Sequence, residues 1–189
     1  MIQVTYDLIE ETLHSTKKTL HSHTDYPRVP GLYAFFLSEN ADKFEYATPG
    51  QIMYIGISKD SLHDRDFNQH FKTGKTGSST LRRSIGAIMK NQLNLTAIPR
   101  GGENDSKRFE NYKFSEEQKL TDWMVGNLKI GYWVPASQLS YTQLRGVEME
   151  ITKLLKPLLD LDHRTKRFNP FAGQLVQLRN ICKKEAGKI

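Results

Sequence analysis

Two short apolar runs, GLYAFFLS (31–38) and QIMYIGIS (51–58), restrict this chain more than any other feature. Each has the length of a strand, is too short for a core-forming helix, and is rich in aromatic or β-branched residues. The polar stretch 39–50 between them, ending in Pro49-Gly50, predicts a long hairpin loop. A buried hairpin of this kind needs apolar elements to cover it, and the rest of the chain supplies them.

Residues 3–20 predict an amphipathic helix, with Tyr6, Ile9, Leu13 and Leu20 near helical spacing, ended by Pro27 and Pro30. Lys59-Asp60-Ser61 supplies an N-cap for a helix to about Phe71, and TGKTGSS (73–79) reads as a connector into a helix at 79–92. On that helix Leu81, Ile85, Ile88 and Met89 form one stripe, with Arg82 and Arg83 off it. Residues 94–113 predict a surface loop. Ser115 with Gln118, and Ser140 with Gln143, fit capping boxes that start helices near 116 and 141. KIGYWVP (129–135) is a third strand between them, the helix from 141 stops near Pro157, and a last amphipathic helix covers 172–186. The order predicts an α/β (α+β) sandwich: a small three-stranded antiparallel sheet flanked by helices.

At 189 residues the chain is the size of one domain. Within it, 1–29 reads as a helical extension, 30–160 as the core, and 161–189 as a C-terminal loop and helix. No apolar run approaches the roughly 20 residues that span a bilayer, and the start of the chain has no apolar signal core. Cys182 is the only cysteine, so an internal disulfide and a cysteine-based zinc site are both excluded. The expected compartment is the cytoplasm. The net charge of +6 is unevenly spread. Residues 1–50 hold four Lys/Arg against seven Asp/Glu, whereas 61–113 hold ten against five and 156–189 eight against three. Two basic segments on a neutral or acidic body suit a polyanion such as a nucleic-acid backbone, and equally describe a solvated basic surface.

The paired runs carry Gly31-Leu32-Tyr33 and Tyr54-Ile55-Gly56, which resemble the two halves of the GIY-YIG nuclease signature, with Leu32 in place of Ile. Arg65 follows Tyr54 by eleven residues, in a helix, and Glu148 stands nine residues before Pro157, both as in that family. The resemblance spans about 30–160 with its parts in order. It implies a metal-dependent DNA endonuclease in which Tyr33 is the general base and Tyr54 orients water or phosphate. Arg65 clamps the scissile phosphate, and Glu148 holds one Mg²⁺ or Mn²⁺ per active site. His70 takes the position of a proton-handling group, although it lies five residues from Arg65 where four is usual; a local bulge or insertion near Asp66 has to absorb the difference. The family asparagine that supports the site falls on Asp160 by spacing, or on Asn169 if the chain doubles back.

Independently of the family, Glu148 lies on the same side of its helix as Leu144, Val147, Ile151, Leu154 and Leu155, and Glu150 is turned away from it. A carboxylate on a core-facing seam needs a partner, either a metal or an internal ion pair with Arg65 or Arg145. Lys59, Lys72, Lys75, Arg82 and Arg83 are the expected nucleic-acid contacts. His14, His21, His23 and His163 have no ligand spacing. A two-strand cut requires two active sites, so a single-site domain dimerises, acts twice or nicks. Two rivals remain: a catalytically silent nucleic-acid-binding module of the same fold, and an interaction protein with a basic surface.

Overall fold

The computed structural model describes residues 5–188. The chain begins with α1 (Tyr6–Ser15), shorter than the expected helix over 3–20, of which residues 3 and 4 lie outside the described residues. Instead of continuing as helix, Lys18–Thr19 form a short strand, β1, and Leu20 turns into the core from a 3₁₀ turn. The hairpin follows as β2 (Gly31–Leu37) and β3 (Ile52–Ser58), and β6 (Leu128–Trp133) pairs with the other edge of β2. Because β1 adds to β6, the sheet has four strands in the order β1-β6-β2-β3, all antiparallel, and not three.

β2 is central, and all seven of its residues are buried. Alternate side chains enter opposite layers: Leu32, Ala34 and Phe36 join Ile9, Leu13, Leu144 and Ile151, while Tyr33, Phe35 and Leu37 join the larger cluster on the other face. A strand buried on both faces needs a continuous apolar run, which is why this segment shows no polar alternation. The first layer is built by α1 and α5 (Tyr141–Leu155). The second contains α2 (Leu62–Arg65), α3 (Thr80–Met89), α4 (Glu117–Asn127) and α6 (Ala172–Ala186).

The capping box at Ser140 and Gln143 starts α5 as expected. Lys156 ends it in a left-handed conformation, φ 48°, immediately before Pro157, which cannot extend a helix. Leu154 is an exception to the expected stripe and is 58 % exposed. Residues 94–113 are not a plain surface loop. Ala97–Ile98 (β4) pairs with Lys113–Phe114 (β5), and Tyr112 and Phe114 anchor the segment in the core.

The capping box expected at Ser115 and Gln118 is absent: Ser115 Oγ donates to the Thr96 carbonyl, Gln118 bonds Thr73 and Asp122, and the helix begins at Glu117. The Glu117 carboxylate accepts from Arg82 Nη2 at 2.8 Å and from Thr76 Oγ1 at 2.7 Å. Arg82 is fully buried and also donates to the His70 carbonyl, Thr76 Oγ1 and Thr121 Oγ1. Ordering such a charge inside the protein is tolerable only because nearly all its donors are satisfied. The network ties α3, α4 and the 73–79 connector into one block. Arg82→Ala leaves Glu117 buried and unpaired, so it should cost about 3–5 kcal/mol of unfolding free energy. Urea denaturation checks this, and a loss within about 0.5 kcal/mol of zero would contradict the network's role.

Candidate active site

An open cleft of about 600 Å³ lies at the β3 edge of the sheet, between α2 and the start of α5. Tyr33, Tyr54, Arg65 and Glu148 all line it, although they come from four different elements. His70 does not line it but touches Tyr33 from behind.

Tyr33 sits opposite Gly56 in the β2–β3 register, and its ring lies across the glycine: a Cβ at position 56 would overlap the phenol. The two signature tripeptides are thus one steric unit, the glycine of one making room for the tyrosine of the other. The Tyr33 hydroxyl lies 2.9 Å from His70 Nε2 and accepts a longer hydrogen bond from Arg65 Nε at 3.4 Å. Tyr54 stacks on Tyr33 with ring centres 6.3 Å apart. Burial lifts the Tyr33 phenol well above its ordinary value, against the partial lowering by Arg65. Burial, followed by the nearby Glu148 charge, pushes the Tyr54 phenol up to about 12.

The extra residue between Arg65 and His70 is absorbed by one turn of π-helix. Ser61 caps α2 by accepting from the Asp64 amide, and the chain then widens over Asp66–His70, where the Phe71 amide donates to the Asp66 carbonyl. Such single wide turns recur at functional sites because they re-aim one side chain without breaking the helix. Here the turn is pinned from inside by Asp66, fully buried, whose carboxylate accepts from Tyr26 Oη at 2.7 Å. Burial holds the Asp66 carboxyl well above the usual range. His70 is also fully buried, and its Nδ1 lies 2.8 Å from Ser79 Oγ, the hydroxyl that caps α3 by accepting from the Arg82 amide. Burial, then Arg65 and Arg82, push the imidazole well below its ordinary value, so it is neutral at physiological pH.

Arg65 is half-buried, donates to Gln69 Oε1 and the Tyr33 oxygen, and has no acidic partner among the described residues. A cleft-lining guanidinium that no carboxylate pairs with suits an anion. Glu148 faces the same cleft and pairs with Arg145, which also holds Asp162 at 2.7 Å. Of the two expected partners for an internal ion pair, the structure therefore supplies Arg145. Burial lifts the Glu148 carboxyl to about 7, with Arg145 opposing the shift.

Asn169 is buried below this corner. Its Nδ2 donates to the carbonyls of Leu158 and Asp160, and its Oδ1 accepts from the Phe171 amide. The loop does double back, and Asn169 fastens the segment that follows α5. Asp160 points to a neighbouring pocket that Glu148 also lines, and its Oδ2 is buried without a partner.

Among the expected nucleic-acid contacts, Lys59 is exposed on the cleft wall, and Lys72 and Lys75 are exposed on the connector outside it. Neither Arg82 nor Arg83 is a solvated arginine at this cleft, and for Arg82, fully buried, that corrects the expectation. Arg82 is sequestered by Glu117, and Arg83 is buried, donating to the carbonyls of Thr76 and Gly77. Both lie on α3 beneath the connector. The spacing located the irregularity near Asp66 but not the buried carboxylate that pins it, and for Ser79 the available signal was its place at the start of α3.

The family model for the GIY-YIG catalytic domain matches residues 29–181, reaching through most of α6. No curated protein and no solved structure matches the chain.

The raised carboxyl of Glu148 has a consequence for stability. Its folded value of about 7 exceeds its ordinary 4.5, so the folded protein holds a proton that the unfolded chain has lost between these values. Stability from this group is complete below the lower value and is lost as pH rises through the upper one. Glu148→Gln cannot ionise and should melt above the wild type at pH 8 in EDTA, with the difference closing toward pH 5. Parallel melting curves at the two pH values would refute the shift.

Proposed function

The chain belongs to the GIY-YIG family of nucleases, and we propose that it is a divalent-cation-dependent endonuclease acting on DNA. The observation that carries this reading is the convergence on one cleft of Tyr33, Tyr54, Glu148 and Arg65, the last with no acidic partner among the described residues.

Each side chain has a task that follows from its surroundings. Arg65 binds the scissile phosphate, its planar fork offsetting charge that grows as water attacks. Tyr54 and Lys59 orient the phosphate from the β3 side. Tyr33 takes the proton of the attacking water. With its phenol lifted by burial, it is no standing phenolate, so it receives that proton as its own passes to His70 Nε2, 2.9 Å away. The neutral imidazole is free to accept it, and Ser79 holds the ring in place through Nδ1.

Glu148 is the cation ligand. Magnesium commonly takes one or two protein carboxylates and completes its shell with water and phosphate oxygens. One partly buried carboxylate on the cleft wall, sharing a hollow with the unpartnered Asp160 Oδ2, fits that habit. Among the described residues no group of three or more His, Cys, Asp and Glu forms an all-protein cage. Arg145 pairs with both Glu148 and Asp162, so it would keep a carboxylate partner with Glu148 turned to a cation. The bound cation supplies Lewis-acid stabilisation of the phosphate and the leaving oxygen.

Supercoiled plasmid with Mg²⁺, compared with an EDTA control, tests the reading. Glu148→Ala and Arg65→Ala should each lower cleavage by about 10²- to 10³-fold or more while circular dichroism stays unchanged. Full activity in either variant would sink the assignment. Gly56→Ala probes the steric unit: the added methyl displaces the Tyr33 phenol, and a shift near 1 Å should cost about 10²-fold in rate. Unchanged single-turnover cleavage by that variant would mean that the tyrosine position is not critical.

A further inference from the structure

The cleft does not end at Glu148. Tyr54, Arg65, Arg145 and Glu148 also line a second hollow of about 270 Å³. Thr80 and Leu161 are shared between that hollow and a third, of about 310 Å³, between α3 and α6. The three share walls and make one track from Tyr33 past the start of α3.

The third hollow is basic. Arg83, Lys166, Arg179 and Lys183 face it against one acid, Glu110. Glu110 is taken by Lys183 at 2.8 Å, which leaves three cations without an acidic partner among the described residues. Two of them are buried: Arg83 is 7 % exposed and Arg179 9 %. Arg83 Nε has no hydrogen-bond partner, and Arg179 makes no hydrogen bond or ion pair among the described residues. Burial, followed by repulsion from Arg179, pushes the Arg83 guanidinium down to about 10.

Neighbouring Arg82 supplies an internal comparison. It is fully buried, one residue from Arg83, and satisfied by Glu117. The two guanidiniums repel each other beside one hollow, into which the head of Arg179 opens while its stem is buried, and an anion between them would offset that repulsion. Arg179 offers an open fork suited to phosphate oxygens, while Arg83, its Nη1 held by the Thr76 and Gly77 carbonyls and its Nη2 by Thr80 Oγ1, adds its charge beside it.

We propose that Arg83, Arg179 and Lys166 form a second phosphate site, which holds a backbone phosphate of the nucleic acid whose scissile phosphate lies in the Tyr33 cleft. It rests on the nuclease reading and extends it, because a fixed second phosphate sets the register of the strand along the track. Arg179 and Lys166 take no part in the chemistry, so the site acts on affinity and alignment.

Fluorescence anisotropy with a labelled duplex in EDTA, over a range of salt, tests this with Arg179→Gln and Lys166→Gln. Each variant should bind about fivefold to tenfold more weakly, and the slope of log affinity against log salt should fall by about 0.9 per lost contact. Arg179→Gln should also melt higher than wild type without DNA, since it removes a buried like charge; a lower melting temperature would mark a structural arginine and overturn the proposal. Unchanged affinity and slope in both variants, with wild type binding DNA salt-dependently, would overturn the second site and leave the nuclease reading standing. Wild type with no salt-dependent binding would remove both. Inorganic phosphate is the remaining arm. If it stabilises wild type but not Arg179→Gln while duplex affinity is equal, the pocket serves a free anion and the backbone assignment falls.

Discussion

The hydrogen bond between the Tyr33 oxygen and His70 Nε2 is the contact around which this site is organised. It joins the central strand to the helix that follows the hairpin, and each partner reaches it only under a separate constraint. Tyr33 needs Gly56 opposite, because any side chain there would occupy the phenol's space. His70 needs the π turn at Asp66–His70 to rotate it inward, and Ser79 to hold its other nitrogen. Ser79 is in turn the cap of α3, the helix that carries the Arg82–Glu117 network. The reactive groups are therefore anchored in the most buried part of the fold while their open side faces the cleft.

Arginines show how burial and partnership divide labour in this chain. Arg82 is saturated inside the protein and fastens α3 to α4. Arg145 bridges Glu148 and Asp162 at the cleft wall. Arg65 lacks an acidic partner among the described residues and lines the cleft to which the proposed function assigns the phosphate. Net charge is a poor guide to such differences, since it counts all three alike, whereas the presence or absence of a neighbouring carboxylate separates a strut from a binding group.

Much of the fold was legible because local signals and burial agree. The two runs at 31–38 and 51–58 form the hairpin, Ser140 and Gln143 form the capping box, and Pro157 follows the end of α5. What was not legible depends on partners distant in sequence. β1 is two residues long and exists through pairing with β6, so no periodicity could reveal it. Ser115 and Gln118 have the spacing of a cap, but their side chains bond Thr96 and Thr73, which only the tertiary fold brings near. At the site, Tyr33, Tyr54, Arg65 and Glu148 could be read from motif and spacing, and the five-residue step to His70 demanded a bulge that the π turn supplies. Helical phase alone placed Arg82 and Arg83 off the apolar stripe; the connector that folds over them buries that face as well.

The account stands on the Tyr33 oxygen as the group that handles the water proton. Tyr33→Phe removes one oxygen and keeps the ring over Gly56, so the fold and the DNA-facing surface should persist. Single-turnover cleavage of a DNA substrate with Mg²⁺, measured beside duplex affinity, separates chemistry from binding. The account predicts a rate lower by about 10²- to 10⁴-fold with affinity unchanged. Cleavage within a factor of a few of wild type would contradict it, and would move the proton-handling role away from the tyrosine.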